Sequence, residues 1–293
     1  MVEIGDSPSM IEPNTTSAQL LFSTVRLECT LNSGGSSIGT AFLFAYRIDQ
    51  EKMVPFLMTN KHVVKDAATG TFYVHEGRPK AANGPNMPTG DSIPISINNF
   101  IHAWVMHPDP DVDLCAMPIE PLRTEASKQG KNFFLMPFVE PLIPLEEQMH
   151  SLNAIEEVLM VGYPIGLWDS VNNMPIVRRG ITALHPAVDF QGKKIGIVDM
   201  ACFPGSSGSP IVIVNEGAYS TPQGLMVGGR FFLMGVLYAG PQYTADGSIE
   251  IVTVPTRSKP IAQTAIPSHL GFYIKSKVIR EWRPILLKHF GAG

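Results

Sequence analysis

The chain has 293 residues, 44% of them hydrophobic, and a formal net charge of −4, so it can bury a sizeable core and carries no basic surplus of the kind that drives nucleic-acid or anionic-membrane binding. Cys29, Cys115 and Cys202 are odd in number and widely spaced, which excludes a disulfide framework and a zinc pattern, and each lies in an apolar stretch where a small buried residue is the expectation. No apolar run reaches the roughly 18 to 20 residues of a membrane helix, and the opening "MVEIGDSPSMIEPNTTSAQ" lacks the basic and apolar regions of a secretory leader. A cytoplasmic protein is expected, with no nucleic-acid or membrane partner.

Residues 1–17 are polar and read as a flexible N-terminal arm. Short strands separated by turn signals follow: "TVRLECTL", "GTAFLFAYRI", "VPFLMTNKHVV", "TFYVHE", "SIPISI", "DLCAMPI", "EVLMVGY", "RRGITALH", "KIGIVDMAC", "SPIVIVN", "FFLMGVLYAG", "SIEIVTVP" and "LGFYIK". Several are apolar throughout, as strands covered on both sides would be. Residues 81–100 and 241–270 are rich in turn residues and read as loops or loop-borne hairpins. A short helix is expected within "LEEQMHSLNAIEE". At the end, "SKVIREWRPILLKHF" places Val278, Ile279, Trp282, Ile285, Leu286 and Phe290 on one helical stripe, interrupted by Pro284. The pattern predicts an all-β barrel or sandwich with a C-terminal helix.

Acyl transfer needs a hydroxyl that can lose its proton, a histidine within reach to take it, a carboxylate to orient the imidazole, and N–H groups aimed at the oxyanion. His62 in "FLMTNKHVV", Asp113 in "HPDPDVDLCAMPI" and Ser207 in "PGSSGSP" each stand at the end of a predicted strand. Asp109 and Asp111 compete with Asp113, which is favoured because it directly precedes an apolar strand. The order His, Asp, Ser disfavours an α/β-hydrolase, whose serine comes first in a G-x-S-x-G frame. Here position 209 is serine, although Asp246 and His269 do follow Ser207.

The stretches "TNKHVV", "DVDLCAM" and "DMACFPGSSGSPIV" resemble the chymotrypsin-like (trypsin-like) serine peptidases, and among them the disulfide-free bacterial branch that includes the HtrA/Deg proteases. "GSSIGTAFLF", "VLMVGYPIG", "RRGITAL" and "LGFYIKSKVIREW" extend the resemblance from about residue 20 to the C-terminus. It implies two packed six-stranded antiparallel β-barrels within a protease domain over 18–293, roughly 18–140 and 141–274, and a C-terminal helix over 275–290. No PDZ domain of the kind the Deg proteases carry after the protease domain is expected. The resemblance also implies a serine endopeptidase with His62 as base, Asp113 as its orienting carboxylate and Ser207 as nucleophile, acting on protein or peptide substrates without metal or cofactor.

Gly205 stands two residues before Ser207 and Gly208 follows it, the frame that lets the Gly205 and Ser207 N–H groups form an oxyanion hole. Ser206 would instead have Pro204, which has no N–H, in the glycine's place. Ser206 also occupies the position of the aspartate that pairs with a new N-terminus in trypsin zymogens, and no "IVGG"-like start exists. Control is therefore expected from ordering of residues 202–206 or from a regulatory protein partner. Val63 stands where the animal enzymes have a bridged cysteine. By resemblance, Ala201, Cys202, Phe203 and Pro204 frame the specificity pocket with Tyr238, Ala239 and Gly240. Ala201 at the pocket base supplies no acid, so an apolar or small substrate side chain is expected. The alternatives are a catalytically silent trypsin-like binding or regulatory module, or an esterase using the same cleft.

Overall fold

In the computed structural model, which describes residues 11–50, 52–79, 86–240, 242–248, 261–267 and 269–290, the N-terminal half runs α1 (Thr16–Leu20), β1 (Thr24–Leu31), β2 (Ser36–Arg47), β3 (Met53–Thr59), α2 (Lys61–Val64), β4 (Ala67–Pro79), β5 (Asn86–Asn98), β6 (Val105–Met106), β7 (Cys115–Pro118), α3 (Glu120–Lys128) and β8 (Phe138–Val139). The strands neighbour one another in the order β5-β4-β1-β2-β3-β7-β6, with β8 parallel to β2. The C-terminal half runs α4 (Glu146–His150), β9 (Glu157–Gly162), β10 (Ile176–Thr182), β11 (Ile195–Asp199), β12 (Pro210–Asn215), β13 (Ala218–Thr221), β14 (Gly224–Val227), β15 (Arg230–Ala239), β16 (Gln242–Ser248), β17 (Ile261–Pro267), β18 (Leu270–Lys275) and α5 (Lys277–His289). Here β10-β11-β18-β15-β12-β9 close into a six-stranded barrel, with β13-β14 and β16-β17 as separate ribbons.

The expected all-β fold with a C-terminal helix is the observed one. The N-terminal half has eight strands where six were expected, because the two-residue strands β6 and β8 join the six longer ones.

Continuous apolar strands arise because alternate residues serve different cores. In β2, Ala41 and Leu43 enter the N-terminal core with Leu27, Leu57, Phe72 and Ile93, whereas Phe42, Phe44 and Tyr46 face the C-terminal half. In β12, Ile211 and Ile213 fill the closed barrel with Met160, Val198 and Tyr273, while Val212 faces the shared interface. That interface also takes Val161, Val236 and the α5 residues Val278, Ile279, Trp282 and Leu286. A buried hydrogen bond of 2.7 Å from the Tyr46 hydroxyl to the Ile279 carbonyl pins the helix to β2.

Several local expectations are corrected. Within 81–100, residues Asn86–Asn98 form β5, antiparallel to β4. β5 pairs on one side only, so Pro88 and Pro94 cost it no ladder on the open edge. The helix expected from "LEEQMHSLNAIEE" is one turn, Glu146–His150. α5 continues through Pro284, and Ile285 is exposed while Leu287 is buried, because the buried face is centred between Ile279 and Leu286 and Ile285 lies at its edge. At the end of the expected arm, Thr15 caps α1 and the Ser17 N–H bonds Glu216. Residues 1–10 and most of the expected strand at 248–255 lie outside the described residues.

Candidate active site

β3 delivers the chain into the one-turn helix α2, which carries His62. The β3–β7 register sets Thr59 opposite Cys115 and so brings Asp113, two residues before β7, beside His62. One carboxylate oxygen of Asp113 accepts the His62 backbone N–H at 3.1 Å, and the other lies 2.6 Å from His62 Nδ1. A carboxylate can only accept, so Nδ1 is the donor of this bond and Nε2 is the ring nitrogen left to exchange a proton with a nucleophile. Asn60 fixes the far side by donating from Nδ2 to the Asp113 carbonyl at 2.8 Å. Of the two competing carboxylates, Asp109 is engaged in a local turn, where its Oδ1 accepts the Asp111 backbone N–H at 2.9 Å, and neither bonds His62 among the described contacts.

The serine segment 203–209 is a tight double turn, with Ser206 N–H donating to the Phe203 carbonyl and Ser209 N–H to the Ser206 carbonyl, each at 3.0 Å. It leaves the three serines in different environments. Ser206 and Ser209 are buried, and the Ser209 hydroxyl is bonded to Thr40. Ser207 alone is partly exposed. Gly205 has φ +90°, and a Cβ there would lie 2.5 Å from the Tyr163 carbonyl oxygen. A Cβ on Gly208, at φ +88°, would lie 1.9 Å from the Thr40 oxygen. Neither position can carry a side chain as the loop stands. Among the described residues the Gly205 and Ser207 N–H groups donate no hydrogen bond, and none joins the Ser207 hydroxyl to His62.

Thr40 ties this loop to the N-terminal half, and the sequence reading did not single it out. Its N–H donates to the Ser207 carbonyl at 2.8 Å, its hydroxyl to the Gly205 carbonyl at 3.0 Å, and its own carbonyl accepts the Thr59 hydroxyl at 2.6 Å. The Tyr163 N–H donates to Thr40 Oγ1 at 3.2 Å, and Ile165 N–H donates to the Pro204 carbonyl at 2.6 Å. The only sequence signal was its place in "GSSIGTAFLF", where a threonine interrupts an otherwise small and apolar run.

Beyond Ser207, β15 pairs with β12 as far as Pro210 opposite Val236, then Leu237 exchanges bonds with Gly208 and Ser209. Tyr238, Ala239 and Gly240 continue past the serine with no partner on that edge among the described pairings, and a bulge at Tyr238 shifts the register against β18. Burial, and secondarily the Asp113 charge, push the Tyr238 hydroxyl up from its ordinary pKa. Ala201, Cys202 and Phe203 are half-buried and Pro204 is exposed. Cys202 packs against Gly240 and Gly271, and burial pushes its thiol up to about 11. Burial likewise pushes Cys29 up to about 12 and Cys115 well above its usual range, so none of the three is a thiolate nucleophile.

Among the described residues, no three His, Cys, Asp or Glu side chains converge as metal ligands, and no helix is long and apolar enough to cross a membrane. No family model and no curated protein matches the chain. Among solved structures, the chain is similar to one described as GrC, at 15% identity and TM-score 0.47, covering 96% of this chain and 98% of that one. It is also similar to HL collagenase, at 14% identity and TM-score 0.45 with 93% and 95% covered. A third is the scabies mite inactivated protease paralogue S-I1, at 12% identity and TM-score 0.44 with 92% and 96% covered. The assignment of the site rests on its own geometry.

Proposed function

We propose that the protein is a serine endopeptidase, a disulfide-free relative of the HtrA/Deg protease domain working in a reducing compartment. The observation that carries this reading is the His62–Asp113 pair, held through both carboxylate oxygens, at the strand end that Thr40 and Thr59 lock to the Ser207 loop. In the reaction Ser207 Oγ attacks the substrate carbonyl as its proton passes to His62 Nε2, and Asp113 stabilises the imidazolium that results. The Gly205 and Ser207 N–H groups, free of other partners, take up the oxyanion. His62 then returns the proton to the leaving amine as the C–N bond breaks, and water repeats the sequence on the acyl-enzyme. The substrate backbone adds as a strand along Tyr238 to Gly240, beside the side-chain pocket of Ala201 to Pro204.

The second reading is a catalytically silent binding module, favoured by the absence of a bond between the Ser207 hydroxyl and His62. Labelling with a fluorophosphonate probe separates the two. Covalent labelling of the wild type and none of Ser207→Ala is expected, and an unlabelled wild-type protein returns the silent module.

A further inference from the structure

Arg178 is half-buried, and among the described residues it has no anionic partner. It lies on β10 opposite Met160 of β9, and its guanidinium carbon stands 5.0 Å from the centre of the Phe203 ring. Its sequence neighbour Arg179 pairs with Glu157 at the surface, but no carboxylate or carbonyl engages Arg178 among the described residues. Asp199 ends β11 and forms no ion pair with Arg178 among the described residues. A second basic side chain reaches the same ring. His269 lies edge-on to Phe203 at 6.1 Å and 87°, anchored where its carbonyl accepts the Met200 N–H at 2.8 Å. The Arg178 charge also reaches the neighbouring Cys202, where it opposes the upward push of burial on the thiol.

A guanidinium partly withdrawn from water and left unpaired is unfavourable, and a carboxylate accepting two parallel N–H bonds is the partner that satisfies it best. The position over the Phe203 ring holds the guanidinium beside that residue by cation–π attraction. Phe203 stands four residues before Ser207, in the segment assigned to substrate side chains. We infer that Arg178 and His269, arranged around Phe203, select an acidic substrate side chain next to the cleaved bond, so that the protein recognises Glu or Asp in its targets. The inference rests on the proposed endopeptidase reading. It replaces the apolar or small side chain expected from Ala201, because the cation enters from β10, a strand whose sequence gives no sign of meeting this segment.

Binding tests the inference separately from turnover. Ser207→Ala protein is titrated against fluorescein-labelled peptide mixtures that differ only in one fixed central residue, Glu, Gln or Lys. The Glu mixture is expected to bind about tenfold more tightly than the Gln mixture, and added Arg178→Gln should abolish that difference. Arg178→Glu should turn the preference toward Lys. Equal binding of Glu and Gln mixtures, binding of neither, or a preference that persists in Arg178→Gln overturns the inference. If Arg178→Gln fails to fold, Arg178→Lys should keep a weakened preference, and the contrast in the Ser207→Ala protein alone still decides. Failure of fluorophosphonate labelling with the Glu preference intact would remove the endopeptidase reading and leave an acidic-peptide binding site, whereas labelling without the preference overturns the inference alone.

Discussion

Asp113 holds His62 at two points, the backbone N–H and imidazole Nδ1, with one carboxylate oxygen on each. The arrangement fixes both where the ring sits and which nitrogen donates to the carboxylate. Asp113→Asn would present an amide that can donate toward Nδ1 and stabilise the wrong tautomer. Turnover of a peptide or ester substrate is expected to fall by about 10³- to 10⁴-fold with the fold intact. Asp111→Asn, in the adjoining turn, should change turnover less than about threefold, and comparing the two variants checks the assignment.

Thr40 supplies one hydroxyl to three partners: the Gly205 carbonyl, the Tyr163 N–H and the Ser209 hydroxyl. Thr40→Val keeps the shape and leaves these buried groups without a partner. A loss of about 2 kcal/mol in urea unfolding is expected, with slower fluorophosphonate labelling as the serine loop loosens. Thr40→Ser should recover most of both.

Gly205 combines φ +90° with a 2.5 Å approach to the Tyr163 carbonyl oxygen. Gly205→Ala must therefore shift the loop, and with it one of the two unengaged N–H groups. Labelling of Ser207 should slow by about 10²-fold, the size of effect known for losing one oxyanion donor. Circular dichroism should show the β-sheet content unchanged.

His75 is buried beside Phe22, with ring centroids 4.8 Å apart, and the Asn173 backbone offsets only part of the effect of that burial on the ring. Burial pushes its pKa down from the ordinary 6.5 to about 4. Between these two values the unfolded chain binds more protons at this site than the folded one. Stability therefore falls as pH drops from 6.5 to 4, by about 3 kcal/mol from this group. His75→Phe should flatten that part of the stability profile, measured by denaturant unfolding across the window.

Much of the site was legible because its signals are local. His62, Asp113 and Ser207 each end or begin an apolar strand, and Pro204, lacking an N–H, distinguishes Ser207 from Ser206 without any coordinates. The apolar strands also announced their two covered faces, since "GTAFLFAY" has no polar side for solvent. The proline-containing β5 was not legible, because Pro88 and Pro94 are compatible with a strand only at a sheet edge, and edge position depends on partners elsewhere in the chain.

The sequence by itself determined the residue types of the candidate site, their order, and the backbone freedom its glycines need, because those depend on bonds and conformations within a few residues. Only the tertiary structure decided that Thr40 joins β2 to the serine loop across a sequence gap of more than a hundred residues. It likewise decided which serine faces solvent, and that Arg178 lies against Phe203. These relations are created when sheet register and barrel closure bring distant strands together, and no pattern within either segment encodes the meeting.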